Sequence, residues 1–332
     1  MKAFYLLYVF FVIYPWVIYP MLLVVYRRLH GKPTPYAVDK SLASWVIVTA
    51  GRNCDDRVKA HLEHMDELAE NHGCASAVYI DDGSDSDNMD LCLDVVDGLR
   101  YDHVDLLKTG RHVGKEAALS CVLNDLRDQR RPCYNILFLD IGVTVEPDTL
   151  TALDRDDNYQ SMDVAGIAFN DDVPDPSGYI TAELKIRRLE DEAGGLVGSG
   201  GMAMAMKYQY LPPVLTAPAD LTLVRWAKVY NRRFISGGTF TAHYKPATSG
   251  GHRRRVRTAM RGMAGVKLVD DTWWNIKLVS HKHLRWFSSV LIALNPIAWV
   301  LYPWMKPHFA ILEAAVRTTA GQKITKWDGT KR

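Results

Sequence analysis

The chain has 332 residues, 48% of them hydrophobic and 23% charged, which suits one large domain or two smaller ones and excludes a disordered polymer. The formal net charge of +2 supplies no global field to hold nucleic acid. Cys54, Cys74, Cys92, Cys121 and Cys133 form no CxxC pair and show no metal-like spacing. They read as reduced, small apolar side chains in a cytosolic compartment rather than as a disulfide framework.

Phe4 to Tyr26 is apolar and aromatic and carries no charge. At about 1.5 Å per residue it is long enough to cross about 30 Å of hydrocarbon. Pro15 and Pro20 kink such a helix without forbidding a span. The rival reading is a cleaved signal peptide, whose apolar core runs to only about 7–15 residues before a small-residue cleavage site. This run is longer, and Arg27-Arg28 follows it directly. With Lys32, these arginines place the following domain in the cytoplasm by the positive-inside rule. Residues 1–30 are therefore expected to be a retained transmembrane anchor. Its five tyrosines and Trp16 also suit an interfacial or tilted helix.

After a polar linker from Gly31 to Lys40, a globular pattern begins. Strands are predicted over Ser44 to Thr49, Ala75 to Ile80, Val104 to Lys108 and Ile136 to Leu139, alternating with helices over Val58 to His72, Met89 to Leu99 and Glu116 to Arg127. That alternation implies a parallel sheet in a three-layer α/β domain. Beyond it come acidic loops (Asp154 to Asp157, Asp171 to Asp175) around a strand at Val164 to Phe169. A helix over Thr181 to Glu192, a flexible glycine run from Gly194 to Gly201 and a Met/Ala stretch follow. A helix is predicted over Asp220 to Tyr230 and a strand over Arg233 to His243. Trp273 to Leu278 and Ser280 to Trp286 lead into a second apolar run, Phe287 to Met305. That run has 19 residues with Asn295-Pro296 in its middle. It could span, re-enter or lie in the interface. Phe309 to Thr319 reads as an amphipathic helix on the membrane surface.

Asp140 ends the buried strand Ile136 to Leu139, where open α/β sheets bind ligands; alone, it is as readily a loop cap. Asp81-Asp82-Gly83-Ser84 follows a strand at a βα turn. Its carboxylates can accept from a base N–H or ribose hydroxyls, although the tetrapeptide is also an ordinary turn. Gly110-Arg-His-Val-Gly114-Lys115 fails as a P-loop, because three residues separate the glycines and Glu116 stands where Ser or Thr is needed. A glycine-flanked lysine at a helix start still suits a phosphate. The run Gly194 to Gly201, with Gly198, Gly200 and Gly201, lacks a dinucleotide fingerprint and reads as a mobile loop that lets a substrate approach the backbone. Asp220 starts a helix and is either an N-cap or a functional acid. Arg253 to Arg261 is a solvated face, an anionic-lipid patch or a pyrophosphate grip. His281 and His283 have no acidic or cysteine partner nearby in sequence and read as membrane-interface contacts rather than metal ligands.

In order, these pieces resemble a membrane-bound family 2 glycosyltransferase with the GT-A fold. The resemblance rests on the Asn/Asp turn after the first strand, Asp81-Asp82-Gly-Ser, Val113-Gly-Lys115-Glu-Ala-Ala, Asp140-Ile-Gly with Glu146-Pro-Asp-Thr-Leu150, the glycine run, Pro218-Ala-Asp220-Leu, Arg254-Arg-Val-Arg257, and Ser280-His-Lys-His-Leu-Arg-Trp286. It covers about residues 44 to 286. It implies a Rossmann-like α/β/α sheet, mostly parallel, over residues 41–262, with membrane segments over 263–332. It implies inverting transfer of a sugar from a nucleotide-sugar, a UDP-sugar by expectation, to a lipid-linked or polysaccharide acceptor at the cytoplasmic membrane face, with no nucleic-acid partner. By that resemblance Asp81 and Asp82 hold the nucleoside and Lys115 lies by the base or diphosphate. Asp140 coordinates Mg²⁺ or Mn²⁺ on the diphosphate, and Asp220 is the general base. Arg254, Arg257 and Arg261 close over the diphosphate, and Gly198, Gly200 and Gly201 line the acceptor side.

The sequence departs from that pattern. Gly142 replaces the second metal ligand, Ala219 replaces the glutamate before the base, and the arginine cluster lacks Gln and Trp. These departures keep a second function open, a catalytically degenerate GT-A domain serving as a binding or scaffold subunit. A third, an NTP-binding membrane protein, is disfavoured by the failed P-loop.

Overall fold

A computed structural model describes residues 10–34, 44–53, 57–128, 135–172, 178–216, 218–244, 262 and 267–287. The apolar run Phe287 to Met305 beyond its first residue, the segment Phe309 to Thr319 and the arginine cluster lie outside the described residues. In chain order the helices are α1 (Tyr19–His30), α2 (Arg57–His72), α3 (Ser86–Asp97), α4 (Lys115–Asp128), α5 (Thr149–Arg155), α6 (Asp157–Gln160), α7 (Tyr179–Glu192), α8 (Ala219–Val229) and α9 (Thr272–Leu278). The strands are β1 (Trp45–Gly51), β2 (Ala75–Asp81), β3 (Val104–Lys108), β4 (Asn135–Leu139), β5 (Val143–Thr144), β6 (Val164–Asp172), β7 (Ala203–Lys207) and β8 (Arg233–Tyr244). A π-helical turn, Tyr14–Ile18, precedes α1, and another, Val279–His283, follows α9.

Strand side chains alternate between faces, and here both faces are apolar. Trp45, Ile47, Leu137 and Leu139 pack with Val58, Leu62 and Met65 of α2. Val46, Val48, Ile136 and Phe138 pack with Leu119, Val122 and Leu123 of α4 and Leu223 of α8. A three-layer α/β/α domain results, as the alternation predicts. The strand order is β3-β2-β1-β4-β7-β6-β8-β5. Pairing is parallel through β3, β2, β1 and β4, and again between β6 and β8. It is antiparallel where β7 joins β4 and β6, and where β5 joins β8. The sheet is thus more mixed than the expected mostly parallel one. The difference comes from β7, whose Ala-Met-Ala-Met sequence has no β-branched residue and becomes a strand only through burial on both faces.

Several local expectations change. Asp154 does not sit in a solvated loop; it is buried at the end of α5, accepting from Trp45 Nε1 at 3.0 Å and facing His72 Nε2 at 3.0 Å. Cys92 is buried as expected of a small apolar side chain, but Cys74 and Cys121 are exposed.

Phe10–His30 is the one described segment long and apolar enough to cross a membrane. It is not free of the domain. Tyr19 and Leu23 are fully buried against Ile186 and Ala193, Tyr26 stacks on Trp273 with ring centres 4.1 Å apart, and Arg27 and Lys32 both pair with Glu192. Two of the three cations used in the topology argument are therefore bound to α7. The opposite face, with Ile13, Val17, Met21, Leu22, Val25 and Leu29, is exposed.

Beneath α1 lies a cluster of buried polar groups. The Glu190 carboxylate, with no exposed surface, accepts from Tyr19 Oη and lies 2.7 Å from His281 Nδ1. His281 Nε2 lies 3.0 Å from Arg285 Nη1. The same Nε2 lies 3.1 Å from both oxygens of the Glu183 carboxylate, so the imidazole stands between two carboxylates and a guanidinium. Burial pulls its pKa down, against the opposing charge of Glu190. This corrects the interface reading of His281, whose acidic partners, the buried Glu190 and the partly buried Glu183, lie 91 and 98 residues away in sequence. His283, partly buried, lies beside Trp286 with ring centres 6.1 Å apart. Removing one partner from such a cluster leaves the others buried and unpaired, at a cost of about 3–5 kcal/mol. Glu190→Ala is therefore expected to lower the thermal unfolding midpoint sharply, while Glu192→Ala, with a surface partner set, lowers it little.

Candidate active site

The carboxyl ends of β2, β1 and β4 lie side by side, with Asp81 opposite Gly51 on one side and Lys108 on the other. Asp81 Oδ2 accepts from Ser84 N at 2.9 Å, and its Oδ1 accepts from Ser84 Oγ. Asp82 accepts from Val113 N at 2.7 Å and from Gly114 N at 3.0 Å, and lies 2.8 Å from His112 Nδ1. Its side chain has no exposed surface. Asp82 therefore folds the 110–114 loop from within and is closed to a nucleoside, contrary to the expectation from resemblance. Asp81, also buried, chiefly shapes its own turn.

That loop delivers Lys115. Gly114 is held by Asp82, and Lys115 Nζ then donates to Asp140 Oδ1 at the end of β4. Asp140 is fixed from both sides. Its N–H donates to Met202 O at 2.9 Å, and its carbonyl accepts from Val143 N at 3.0 Å. Gly142 makes this turn with φ of 77° and open space where a side chain would stand. Behind the strand end, Thr49 Oγ1 donates to Leu139 O and receives His61 Nε2, each at 3.0 Å. His64 Nε2 accepts from Val145 N at 3.1 Å. Burial lowers His61 to about 3 and His64 to about 4, so both imidazoles are neutral supports.

Asp220 sits in the first turn of α8. The N-cap position belongs to Pro218, so the capping alternative does not hold. Burial raises the Asp220 carboxyl to about 6, against the opposing charges of Lys282 and Lys115 and together with the like charge of Asp140. Asp171, at the end of β6, is raised by burial too, although Arg187 Nη2 donates to its Oδ2 at 3.0 Å. Lys282, buried on the second π-helical turn, lies 3.4 Å from Glu183 Oε1 and completes the group. The sequence marks Asp171 only as part of an acidic loop and Lys282 only within Ser280 to Trp286, and it does not mark Arg187. Each is an ordinary charged residue locally and acquires its place through contacts across the fold.

The glycine run threads among these groups. Its mobile reading is not what the structure shows. Lys277 Nζ donates to Gly195 O, Trp273 Nε1 to Ala193 O at 3.0 Å and Trp274 Nε1 to Leu196 O at 3.1 Å. Residues 195–199 are buried. A side-chain carbon on Gly198 would stand 2.4 Å from Lys282 Cε, and one on Gly200 would stand 2.3 Å from Asp171 Oδ2. Gly201 lies against Asp220, at 3.6 Å from its Cβ by the same construction. The glycines are needed so that backbone can pass between charged side chains. The structure thus brings Lys115, Asp140, Asp220 and Gly198 to Gly201 together. Arg254, Arg257 and Arg261 lie outside the described residues, but Gly262, the next residue, packs on Leu221 beside Asp220.

No family model matches the sequence, and no curated protein does. Solved structures do. A mannosyltransferase, PcManGT from Pyrobaculum calidifontis, in complex with GDP-Man and Mn²⁺, is similar with a TM-score of 0.68 at 15% identity, covering 91% of this chain and 94% of that one. TarS 1-349 from S. aureus gives 0.45 at 11% identity over 84% of this chain and 92% of that one. The glucosyl-3-phosphoglycerate synthase from Mycobacterium tuberculosis, in complex with Mn²⁺, UDP and phosphoglyceric acid, gives 0.45 at 13% identity over 68% and 80%. The chain has the fold of GT-A-type glycosyltransferases.

The metal implied by the resemblance can be tested against the donor set. Among the described residues no group of three or more His, Cys, Asp or Glu side chains converges. Asp140 offers one carboxylate, already paired with Lys115, and Gly142 offers none. Asp171 Oδ1 is a buried oxygen without a hydrogen-bond donor, but Gly200 backbone closes over it. The described residues do not by themselves make a divalent-ion site.

A methyl group on Gly200 must displace Asp171, which Arg187 holds. Such overpacking costs about 1–3 kcal/mol. Gly200→Ala is expected to lower stability by that amount in denaturant unfolding, and Gly142→Ala, with open space around it, to show only backbone strain.

Proposed function

We propose that this chain is a membrane-associated glycosyltransferase that moves a sugar from a nucleotide-sugar to a hydroxyl acceptor with inversion. The observation that carries the proposal is Asp220. A carboxylate with its pKa lifted to about 6 sits beside Lys115 and Asp140 at the sheet's ligand-binding edge. The fold shared with PcManGT supports it.

The chemistry follows from the charges. The acceptor O–H gives its proton to Asp220 while its oxygen forms a bond to the anomeric carbon. The bond from that carbon to the β-phosphate oxygen breaks, and its electron pair leaves with the nucleoside diphosphate. A single displacement on the face opposite the leaving group inverts the anomeric centre. Lys115 stands where the leaving charge develops, and cations preorganised there stabilise it more than water does. Lys282 favours the ionised form of Asp220, keeping the base available near neutral pH.

Asp220→Asn should keep nucleoside diphosphate binding and reduce diphosphate release from UDP-GlcNAc or GDP-mannose in membranes by roughly 10²–10⁴-fold. In the wild type, the group is raised above its ordinary value, so the base is protonated and lost below pH about 6. The rate should fall about tenfold per pH unit on that limb. Unchanged release by Asp220→Asn would favour a different base. Intact nucleotide binding with no release by the wild type from either donor would favour the degenerate, scaffold reading that Gly142 and Ala219 suggest.

The N-terminal helix supplies the location. One face is fastened to α7 and the C-terminal segment, and the other is an exposed apolar stripe. Such a helix embeds its free face in lipid and holds the site at the cytoplasmic surface, within reach of a lipid-linked acceptor. Leu22→Asp with Val25→Asp should release the protein from liposomes of mixed zwitterionic and anionic lipid in flotation. Nucleotide binding in detergent should persist.

A further inference from the structure

We infer that donor binding in this site needs no divalent cation, because Lys115 occupies the place and does the work of the metal. The inference rests on the transferase reading and concerns its donor diphosphate.

Magnesium-type sites on phosphates use one or two protein carboxylates plus phosphate oxygens and water. Here the carboxylate count has fallen to one, since residue 142 is glycine in a left-handed turn, and beyond its chain neighbours no described residue comes within 4 Å of where its Cβ would stand. The remaining carboxylate is not open. Lys115 Nζ donates to Asp140 Oδ1, and both side chains are less than a fifth exposed. An ion entering there would have to displace the ammonium and then sit among Lys115, Lys282 and Arg187. The other acids offer no alternative. Asp171 is held by Arg187, and Asp220 faces Lys282 as the base.

The ammonium, by contrast, is built in. Asp82 takes Gly114 N and Val113 N inside the protein, which fixes the loop and starts α4 at Lys115. Asp140 then orients Nζ. A lysine has three donors, so one can remain on Asp140 while the others meet diphosphate oxygens. Its charge neutralises the leaving group as bond breaking proceeds. Asp140 changes role accordingly, from metal ligand to positioning residue for Lys115.

The test is calorimetry of UDP and of GDP binding to the detergent-purified full chain, with excess EDTA and with Mn²⁺. Mn²⁺ uptake is followed in parallel by electron paramagnetic resonance. Binding of either nucleotide within about threefold in the two conditions, with no Mn²⁺ taken up, is the expected result. Lys115→Met should weaken that binding by tenfold or more in EDTA, and Lys115→Arg should recover part of it. In the double variant Lys115→Ala, Gly142→Asp, binding should become Mn²⁺-dependent. Circular dichroism of each variant separates lost binding from lost folding. Binding that vanishes in EDTA and returns with Mn²⁺, or that survives Lys115→Met in EDTA, overturns the inference and leaves the transferase reading standing. No binding of either nucleotide in any condition overturns both.

Discussion

A wholly buried carboxylate, Glu190, is the constraint on which much of the arrangement depends. It cannot stay ionised in an apolar interior without donors, and its donors come from three distant parts of the chain. Tyr19 arrives from α1, His281 from the segment after α9, and Val197 N from the glycine run at 3.4 Å. Satisfying one charge therefore draws the N-terminal helix, the C-terminal segment and the loop beside the site to a single point. Burying such a group is seldom the most stable solution, and its use here is better understood as geometric specification. The neighbouring residue of His281 is Lys282, which faces Asp220. The same junction that seats the N-terminal helix thus also sets the position of a cation beside Asp220.

The site is built by opposite charges meeting across elements, with little left unpaired. Lys115 with Asp140 and Arg187 with Asp171 join α4 to β4 and α7 to β6. Asp220 has Lys282 as its strongest opposing charge, and its carboxyl is nevertheless raised by burial. Asp171, held by Arg187, is raised by burial as well, so what sets Asp220 apart is its place beside Lys115 and Asp140. Asp82 shows the opposite design, with backbone donors saturating it where no acceptor could reach.

The sequence was legible where local physics decides the outcome. The four runs ending at Thr49, Ile80, Lys108 and Leu139, with helices between them, predict the α/β/α layers and the edge where Asp140 lies. Lys115 and Asp220 stand out in the sequence because each starts a helix at a strand's end or after a proline-bearing turn. What was missed depends on contacts far apart in the chain. β7 is a strand only because β4 and β6 flank it. His281 finds Glu190 at a separation of 91 residues and Lys282 finds Glu183 at 99, which no local pattern encodes. Asp82 was read as a ligand because an acidic turn at a strand end has the same sequence whether its carboxylate faces out or in.

The glycine run illustrates why composition misled. Many glycines ordinarily mean a pliable loop, since the backbone has few restraints. Here the restraints come from outside the run, as Lys277, Trp273 and Trp274 all donate to carbonyls of residues 193 to 196. Lys277 is itself buried, which lowers its pKa to about 8, so those carbonyls are gripped by an ammonium with little water around it. Glycine is required because Lys282 and Asp171 press against the backbone, not because the backbone must move. A site lined this way is fixed before substrate arrives. Preorganised donors and charges need not reorganise as charge develops, and that is the condition under which a lysine can serve in place of an ion.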